Sequence, residues 1–417
     1  MTGATANRES PIANSPQVHR ILLAKGVRAF GDGFVSVLLP LYLLELGLGP
    51  LEVGIIATAT LLGSGLLTLA VGLRAHRFAF RTLLLAAAAL MTATGLGFAF
   101  VTAFWPLLVI AIVGTLNPSS GDVSVFLPLE HAMLSRLIGD KERTSVFARY
   151  SLVGSLAAAV GSLAAAAPSM IGAVTGLSMI ASIQAMFVVY AALGVLAAIA
   201  YRGLPATAES SGARTAVPLQ ESKKRVWTLA ALFSMDAFGG GFVVQSMVAL
   251  WLYQRFDMSL AAAGAIFFWT GVLTAASYLV AVRIAGRFGL INTIVFTHIP
   301  SSLCLILIPF MPDLGWAIAL LFLRAALSQM DVPTRSSYVM AIVQPAERPA
   351  AASMTSVPRS LASAASPFLA GWLLTLSSFG WPLLAAGGIK IVYDVLLYVL
   401  FRNVKPPEEE EAAVGEA

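Results

Sequence analysis

Charged residues are what this sequence has least of: Asp, Glu, Lys and Arg make up 11% of 417 residues, against roughly 25% in a soluble globular domain. A water-soluble fold of this length is excluded, because too few charged side chains remain to cover its surface. Cysteine is nearly absent. The single Cys304 excludes an internal disulfide framework, and its apolar neighbours make it a buried packing residue. Polar stretches are short as well; residues 1–19, the segment 203–224 and the tail from Arg402 are the longest, and none can fold into a catalytic or nucleotide-binding domain. The sequence has no Gly-rich phosphate loop ending in Lys-Ser/Thr, no His-Glu-x-x-His and no Gly-x-Ser-x-Gly. A nucleotide-driven pump and an intramembrane hydrolase are therefore not expected, nor is a metal or other cofactor. The net charge of +5 would point to nucleic acid only on a soluble basic face, and no such domain exists. The N-terminus lacks a basic stretch leading into an apolar core and cleavage site, so no signal peptide is expected.

What is there is apolar: 58% of the residues, in runs of about twenty that recur from end to end. Broken at polar, Gly and Pro positions, they predict twelve membrane spans, near 21–47, 51–73, 80–103, 105–137, 143–167, 174–201, 226–254, 259–283, 289–311, 315–343, 347–377 and 380–401. An even number puts both termini on one face. Arg74, Arg77, Arg81, Arg136, Lys141, Arg143, Arg202, Arg214, Lys223, Lys224, Arg225, Arg283, Arg287, Arg348, Arg402 and Lys405 fall on that face, and only Arg255 on the other. The positive-inside rule then makes both termini cytoplasmic, in the inner (plasma) membrane. Trp105, Trp316 and Trp381 at far span ends and Trp227 at a near one fit an interfacial aromatic belt.

The chain also repeats itself. Residues 29–35 read Ala-Phe-Gly-Asp-Gly-Phe-Val and residues 237–243 read Ala-Phe-Gly-Gly-Gly-Phe-Val, six identities in seven at an offset of 208. Ala75, Arg77 and Phe78 match Ala285, Arg287 and Phe288 at offset 210, and Pro128, Glu142-Arg143 and Ser155-Leu156 match Pro333, Glu347-Arg348 and Ser360-Leu361 at offset 205. Six spans separate equivalents, so the two halves share one orientation, the parallel repeat about an axis along the membrane normal. The expected organisation is a polar tail (1–20), a six-helix bundle (21–202), a linker (203–224), a second bundle (225–402) and an acidic tail (403–417).

With two six-span halves, a central linker and the loop Gly72-Leu-Arg-Ala-His-Arg-Phe-Ala-Phe-Arg81, the chain resembles the major facilitator superfamily. That loop is similar to the family's G-x-x-x-D-R-x-G-R-R motif, with Gly72, Arg77 and Arg81 in place, His76 where the family has Asp and Ala79 where it has Gly. Arg287 belongs to a similar loop in the second half. The resemblance implies an all-α membrane protein of twelve helices in two pseudo-symmetric bundles, and a secondary transporter working by alternating access.

An ionisable side chain at bilayer depth costs about 2.5–3.5 kcal/mol on insertion scales, so it faces a cavity or a partner. Spans 1, 4, 7 and 10 hold Lys25, Arg28, Asp32, Asp122, Glu130, Asp236, Arg324, Asp331 and Arg335; the other eight hold Arg149, Arg359, Lys390, Asp394 and His298. Spans 1, 4, 7 and 10 are therefore expected to line a wet path, with Arg28, Asp32, Asp122, Asp236, Arg324 and Asp331 along it. At offset 208 Arg28 matches Asp236, and at offset 205 Glu130 matches Arg335. Opposite charges at equivalent positions suggest pairs between the halves, with Glu130 and Arg335 closing a cytoplasmic gate. The alternative is neutralisation within each half, as in the i,i+4 neighbours Arg28–Asp32 and Asp331–Arg335.

Asp32, between Gly31 and Gly33, should be approachable and is a candidate proton carrier, with Asp236 as the other. Lys390 and Asp394 read as an i,i+4 structural pair and His298 as a hydrogen-bonded packing residue. Asn117-Pro-Ser-Ser-Gly-Asp122 is a break in mid-span, and the small-residue faces 154–161 and 362–371 suit close helix packing. Drug/proton antiporters of the superfamily carry an Arg in span 4 and a Gly-Pro pattern in span 5; here span 4 has no such Arg, Arg324 holds the equivalent place in span 10, and the step is Ser366-Pro367 in span 11, so the sequence departs from that pattern. The expected function is a monomeric, proton-coupled transporter that exports a small solute by alternating access. Its partners are that solute, protons and the bilayer. The rival is a non-transporting membrane sensor or assembly partner with the same fold.

Overall fold

A computed structural model describes residues 15–74, 78–119, 124–138, 140–205, 220, 222–344 and 347–404. Both tails, most of the linker, Arg77 and Asp122 lie outside these. The first half contains α1 (Pro16–Glu45), α2 (Pro50–Arg74), α3 (Phe80–Phe100), α4 (Phe104–Val113), α5 (Phe126–Leu137), α6 (Asp140–Leu163), α7 (Ala167–Thr175) and α8 (Met179–Arg202). The second contains α9 (Lys223–Gly241), α10 (Gln245–Phe256), α11 (Leu260–Phe288), α12 (Leu290–Leu307), α13 (Leu314–Leu327), α14 (Asp331–Ile342), α15 (Arg348–Leu376) and α16 (Trp381–Phe401). There is no strand among the described residues.

Helix starts follow local chemistry. Ser15 caps α1, its Oγ accepting from the Val18 amide at 3.4 Å ahead of Pro16 in the first turn. Ser259 and Asp313 cap α11 and α13 by accepting from the Ala262 and Trp316 amides at 3.2 and 3.1 Å. Before α16 the chain turns at Gly380 with φ +104, and a Cβ there would sit 2.9 Å from the Trp251 indole nitrogen.

Helix occupies each of the twelve predicted spans, but not as twelve unbroken rods. Nine helical stretches among the described residues are long and apolar enough to cross a membrane, and Phe104–Val113 and Leu314–Leu327 are apolar but shorter. Spans 4, 7 and 10 are each split, into α4/α5, α9/α10 and α13/α14. The outer surface is apolar: Phe100 is 76% exposed and Trp105 73%, and Trp227, Trp316 and Trp381 are also exposed. Such a surface is stable only against lipid.

Within the first half α1 packs on α6 and α8, and α3 on α8; within the second α9 packs on α15 and α16, and α12 on α16. A Cβ on Gly33 would lie 2.1 Å from the Ala158 carbonyl oxygen, and one on Gly241 would lie 2.3 Å from that of Ser363. Gly241 is Gly33 plus 208, and Ser363 is Ala158 plus 205, so the repeat extends to individual helix contacts. These glycines serve close packing. Gly31 abuts the Tyr190 ring, so the expectation that Gly31 and Gly33 lay Asp32 open is corrected: the space they leave is filled by helices α6 and α8.

The halves meet along α2–α15 and α6–α11, two seams that the repeat makes equivalent, and along α1–α10. Gly371 faces Pro50 and Gly54, where a Cβ would meet the Pro50 carbonyl at 2.5 Å, and Gly264 faces the Ser162 carbonyl in the same way at 2.4 Å. Thr58 accepts from the Phe368 amide at 2.9 Å, and Tyr253 donates to the Val37 carbonyl at 3.0 Å. All of these contacts lie between mid-depth and the face opposite the termini, here called the far face.

Candidate functional site

At mid-depth the seam opens into a cavity of about 250 Å³. Its wall is made by the breaks in spans 4, 7 and 10 together with faces of α6 and α11. In span 4 helix ends at Val113 and restarts at Phe126; Pro118 supplies no amide, and Asn117 Oδ1 accepts from the Ser119 amide at 3.1 Å and from its hydroxyl at 2.8 Å. Ser119 lines the cavity. The predicted break is present over 117–119, and 120–122 lie outside the described residues. In span 7 the chain leaves α9 after Gly239-Gly240-Gly241, and Val243, Val244 and Gln245 at the start of α10 face the cavity. The Ser246 amide donates across the halves to the Pro118 carbonyl at 3.0 Å, and Gln245 Nε2 donates to Ser162 Oγ at 3.4 Å. One break therefore caps another, because interrupted helices leave backbone groups that must be satisfied away from water.

Arg324 is the one intramembrane cation at the cavity wall among the described residues. It lies in the last turn of α13, on the face shared with Leu321, Ala325 and the C-cap residue Ser328, which also line the space. Its Nε is buried and meets no hydrogen-bond acceptor. No Asp or Glu lines the cavity among the described residues. Thr270, Thr274 and Tyr278 of α11 supply hydroxyls opposite.

Most of the other charges that the structure buries gather in two clusters, one in each half. In the first, Glu130 is fully buried and bonded to Arg28 Nη2. Tyr201 and Tyr150 donate their hydroxyls to its two carboxylate oxygens, each at 2.5 Å. Arg28 Nε reaches the Tyr201 hydroxyl at 3.1 Å, and its guanidinium lies 3.9 Å from the Phe126 ring centre. In the second, Asp236 receives Arg335 Nη1 at 2.8 Å and Lys390 Nζ at 2.6 Å. Arg335 also holds Asp331 at 2.8 Å, the i,i+4 pair anticipated above. His298 Nδ1 lies 2.9 Å from Asp394, and Lys390 Nζ lies 3.5 Å from His298 Nε2. With the proton on Nδ1, His298 donates to Asp394 and accepts from Lys390.

Three sequence expectations are corrected. Arg28 does not pair with Asp236, nor Glu130 with Arg335: each half holds its own pair, Arg28–Glu130 and Asp236–Arg335, at repeat-equivalent positions with polarity reversed. A buried charge needs a partner in contact, and the nearest ones lie on spans of the same bundle. Lys390 and Asp394 are not each other's partners either, since Asp236 and His298 engage them from α9 and α12. Of the described residues assigned to the path, only Arg324 lines the cavity; Arg28, Asp236 and Asp331 belong to the clusters. Asp32 is half-buried, with the Tyr190 hydroxyl 3.4 Å from its Oδ1. Tyr150, Tyr201 and the His298–Asp394 link were missed, and no spacing in the sequence marks them. In the loop motif, Gly72 lies in the last turn of α2, Arg81 in the first turn of α3, and Arg287 is exposed in the last turn of α11, its guanidinium 5.5 Å from the Phe288 ring.

The profile of the Major Facilitator Superfamily matches residues 21–330 and 237–417. The chain is similar to an uncharacterized membrane protein of Saccharomyces cerevisiae, 25% identical over 413 residues that cover 91% of this chain and 92% of that one. Its fold is similar to the nucleoside transporter NupG (TM-score 0.71, 12% identity, 92% of this chain and 99% of that one). It is likewise similar to the xylose transporter XylE of E. coli in a partially occluded inward-open conformation (TM-score 0.69, 13% identity, 94% and 99%). A third likeness is to a bacterial homologue of the human lysosomal transporter Spinster (TM-score 0.71, 14% identity, 92% and 94%). At these identities the likeness to the solved structures is one of fold.

Proposed function

The chain belongs to the major facilitator superfamily, and from that premise we propose that it is a secondary transporter moving a small solute by alternating access. The observation that carries this reading is the mid-depth cavity between the halves, walled by three interrupted helices and closed towards the far face by glycine seams. Broken helices at a repeat interface supply polar groups to a solute without exposing backbone to lipid. Residues 21–202 and 225–402 are the two rocking bodies and 203–224 the linker. The protein acts as a monomer in the plasma membrane with both termini cytoplasmic. We assign proton-coupled export. Asp32 is the proton carrier, because Asp236 is already held by two cations while Asp32 adjoins Tyr190 on a central span.

The test is a pair of distances between spin labels, one across the terminal face at positions 136 and 287 and one across the far face at positions 103 and 257. In membranes at varied pH, with solute mixtures present, alternating access predicts that one distance lengthens as the other shortens. A single unchanging population on both faces under every condition would favour the non-transporting rival.

A further inference from the structure

The sequence's intramembrane charges are close to balance, and that balance gives the cavity no sign. The structure divides them unequally. Arg28, Glu130, Asp236, Asp331, Arg335, Lys390 and Asp394 are engaged in the two buried clusters. What stands at the cavity wall is Arg324, with a buried Nε lacking an acceptor and with no acidic side chain beside it among the described residues. A guanidinium kept at bilayer depth without a counter-charge is unfavourable unless something else supplies the negative charge. The start of α10 adds to the same sign, since Gln245 at the N-terminus of a 12-residue helix also faces the cavity.

Resting on the transporter reading of this cavity, the geometry points to a small organic anion as the solute, a carboxylate or a phosphate ester whose charged group is received by Arg324. The planar fork of a guanidinium matches two oxygens of either group. The hydroxyls of Ser328, Thr270, Thr274 and Tyr278 and the amide of Gln245 suit the hydroxyl or carbonyl groups of such a molecule, and a volume of about 250 Å³ restricts it to metabolite size. Two other sources could answer the charge of Arg324: the C-terminal carbonyls of α13, in whose last turn it sits, and Asp122, outside the described residues. Both would leave the cavity without a net positive potential.

The experiment measures that potential directly in the full chain. In a Cys304→Ser background, a single cysteine is placed at Ser328 or at Thr270. It is then labelled with an anionic sulfonatoethyl or a cationic trimethylammonioethyl methanethiosulfonate, each rate being divided by that of free cysteine. The expected result is a preference of about tenfold or more for the anionic reagent. It should fall to near one in Arg324→Gln and persist in Arg324→Lys, which keeps the charge. Equal rates or a cationic preference in the parent would overturn the anion assignment and leave the transporter reading intact. A preference that rises in Asp122→Asn would identify Asp122 as the counter-charge and overturn it too. If neither position is labelled by either reagent, the cavity is not a solute site, and both readings fall.

Discussion

Glu130 shows what a buried charge demands. Its carboxylate receives Arg28 and two tyrosine hydroxyls with no access to solvent. Replacing it with Gln removes the carboxylate that the buried Arg28 contacts, which should cost about 3–5 kcal/mol of stability. Arg28→Met with Glu130→Gln should be milder than either change alone, and thermal unfolding of the purified variants checks this. Tyr201→Phe removes two hydrogen bonds to charged groups, the one donated to Glu130 and the one accepted from Arg28 Nε, and should cost at least about 1.5–3 kcal/mol. Asp32 is predicted to matter differently: Asp32→Asn keeps its size and hydrogen bonding but cannot release a proton. Once a solute is identified, this variant should exchange it down its gradient but no longer drive it with a pH step. Undiminished pH-driven transport would show that the proton travels elsewhere.

Among the elements, the seams between halves depend on the absence of side chains. Gly371 and Gly54 bring α15 and α2 into backbone contact, and a Cβ on either would strike a carbonyl oxygen at 2.5 Å. Backbone cannot yield as a flexible side chain does. Gly371→Val should therefore pry the far-face seam apart rather than unfold either bundle, lengthening the distance between labels at positions 103 and 257 and speeding modification of a cysteine at Thr58. The same substitution at Gly33, inside one bundle against Ala158, should instead lower the unfolding temperature. The small-residue faces were legible in the sequence, but which neighbour each face meets was not. Gly154 and Gly161 pack within their own half, against Lys25 and Phe30, whereas Gly371 packs across the halves. Composition alone is the same in both cases.

For the whole molecule, the prediction concerns orientation. Positive charges crowd the terminal face, so the termini should be cytoplasmic. An alkaline phosphatase fused after Val404 should be inactive and one inserted near Asp257 active; the reverse pattern would invert the topology. With the seams sealed between mid-depth and the far face, the described conformation would then present its cavity towards the cytoplasm.

The sequence by itself determined that this chain lives in a bilayer, which stretches of it are apolar, and that segments of it recur at a nearly constant offset, because hydropathy and repetition are properties of order along the chain. The identity of residues 29–35 and 237–243 reappears as the equivalent contacts Gly33–Ala158 and Gly241–Ser363. Only the tertiary structure decided the partners. Arg28 against Asp236 and Glu130 against Arg335 are opposite in sign at matched positions, a pattern that pairing across the axis and pairing within each half satisfy equally well. Sequence equivalence cannot separate the two, since the choice depends on how far each helix is rotated about its own axis. That rotation is set by the packing of glycines and tyrosines many residues away. It put Arg28 with Glu130 and Asp236 with Arg335, and left Arg324 at the cavity.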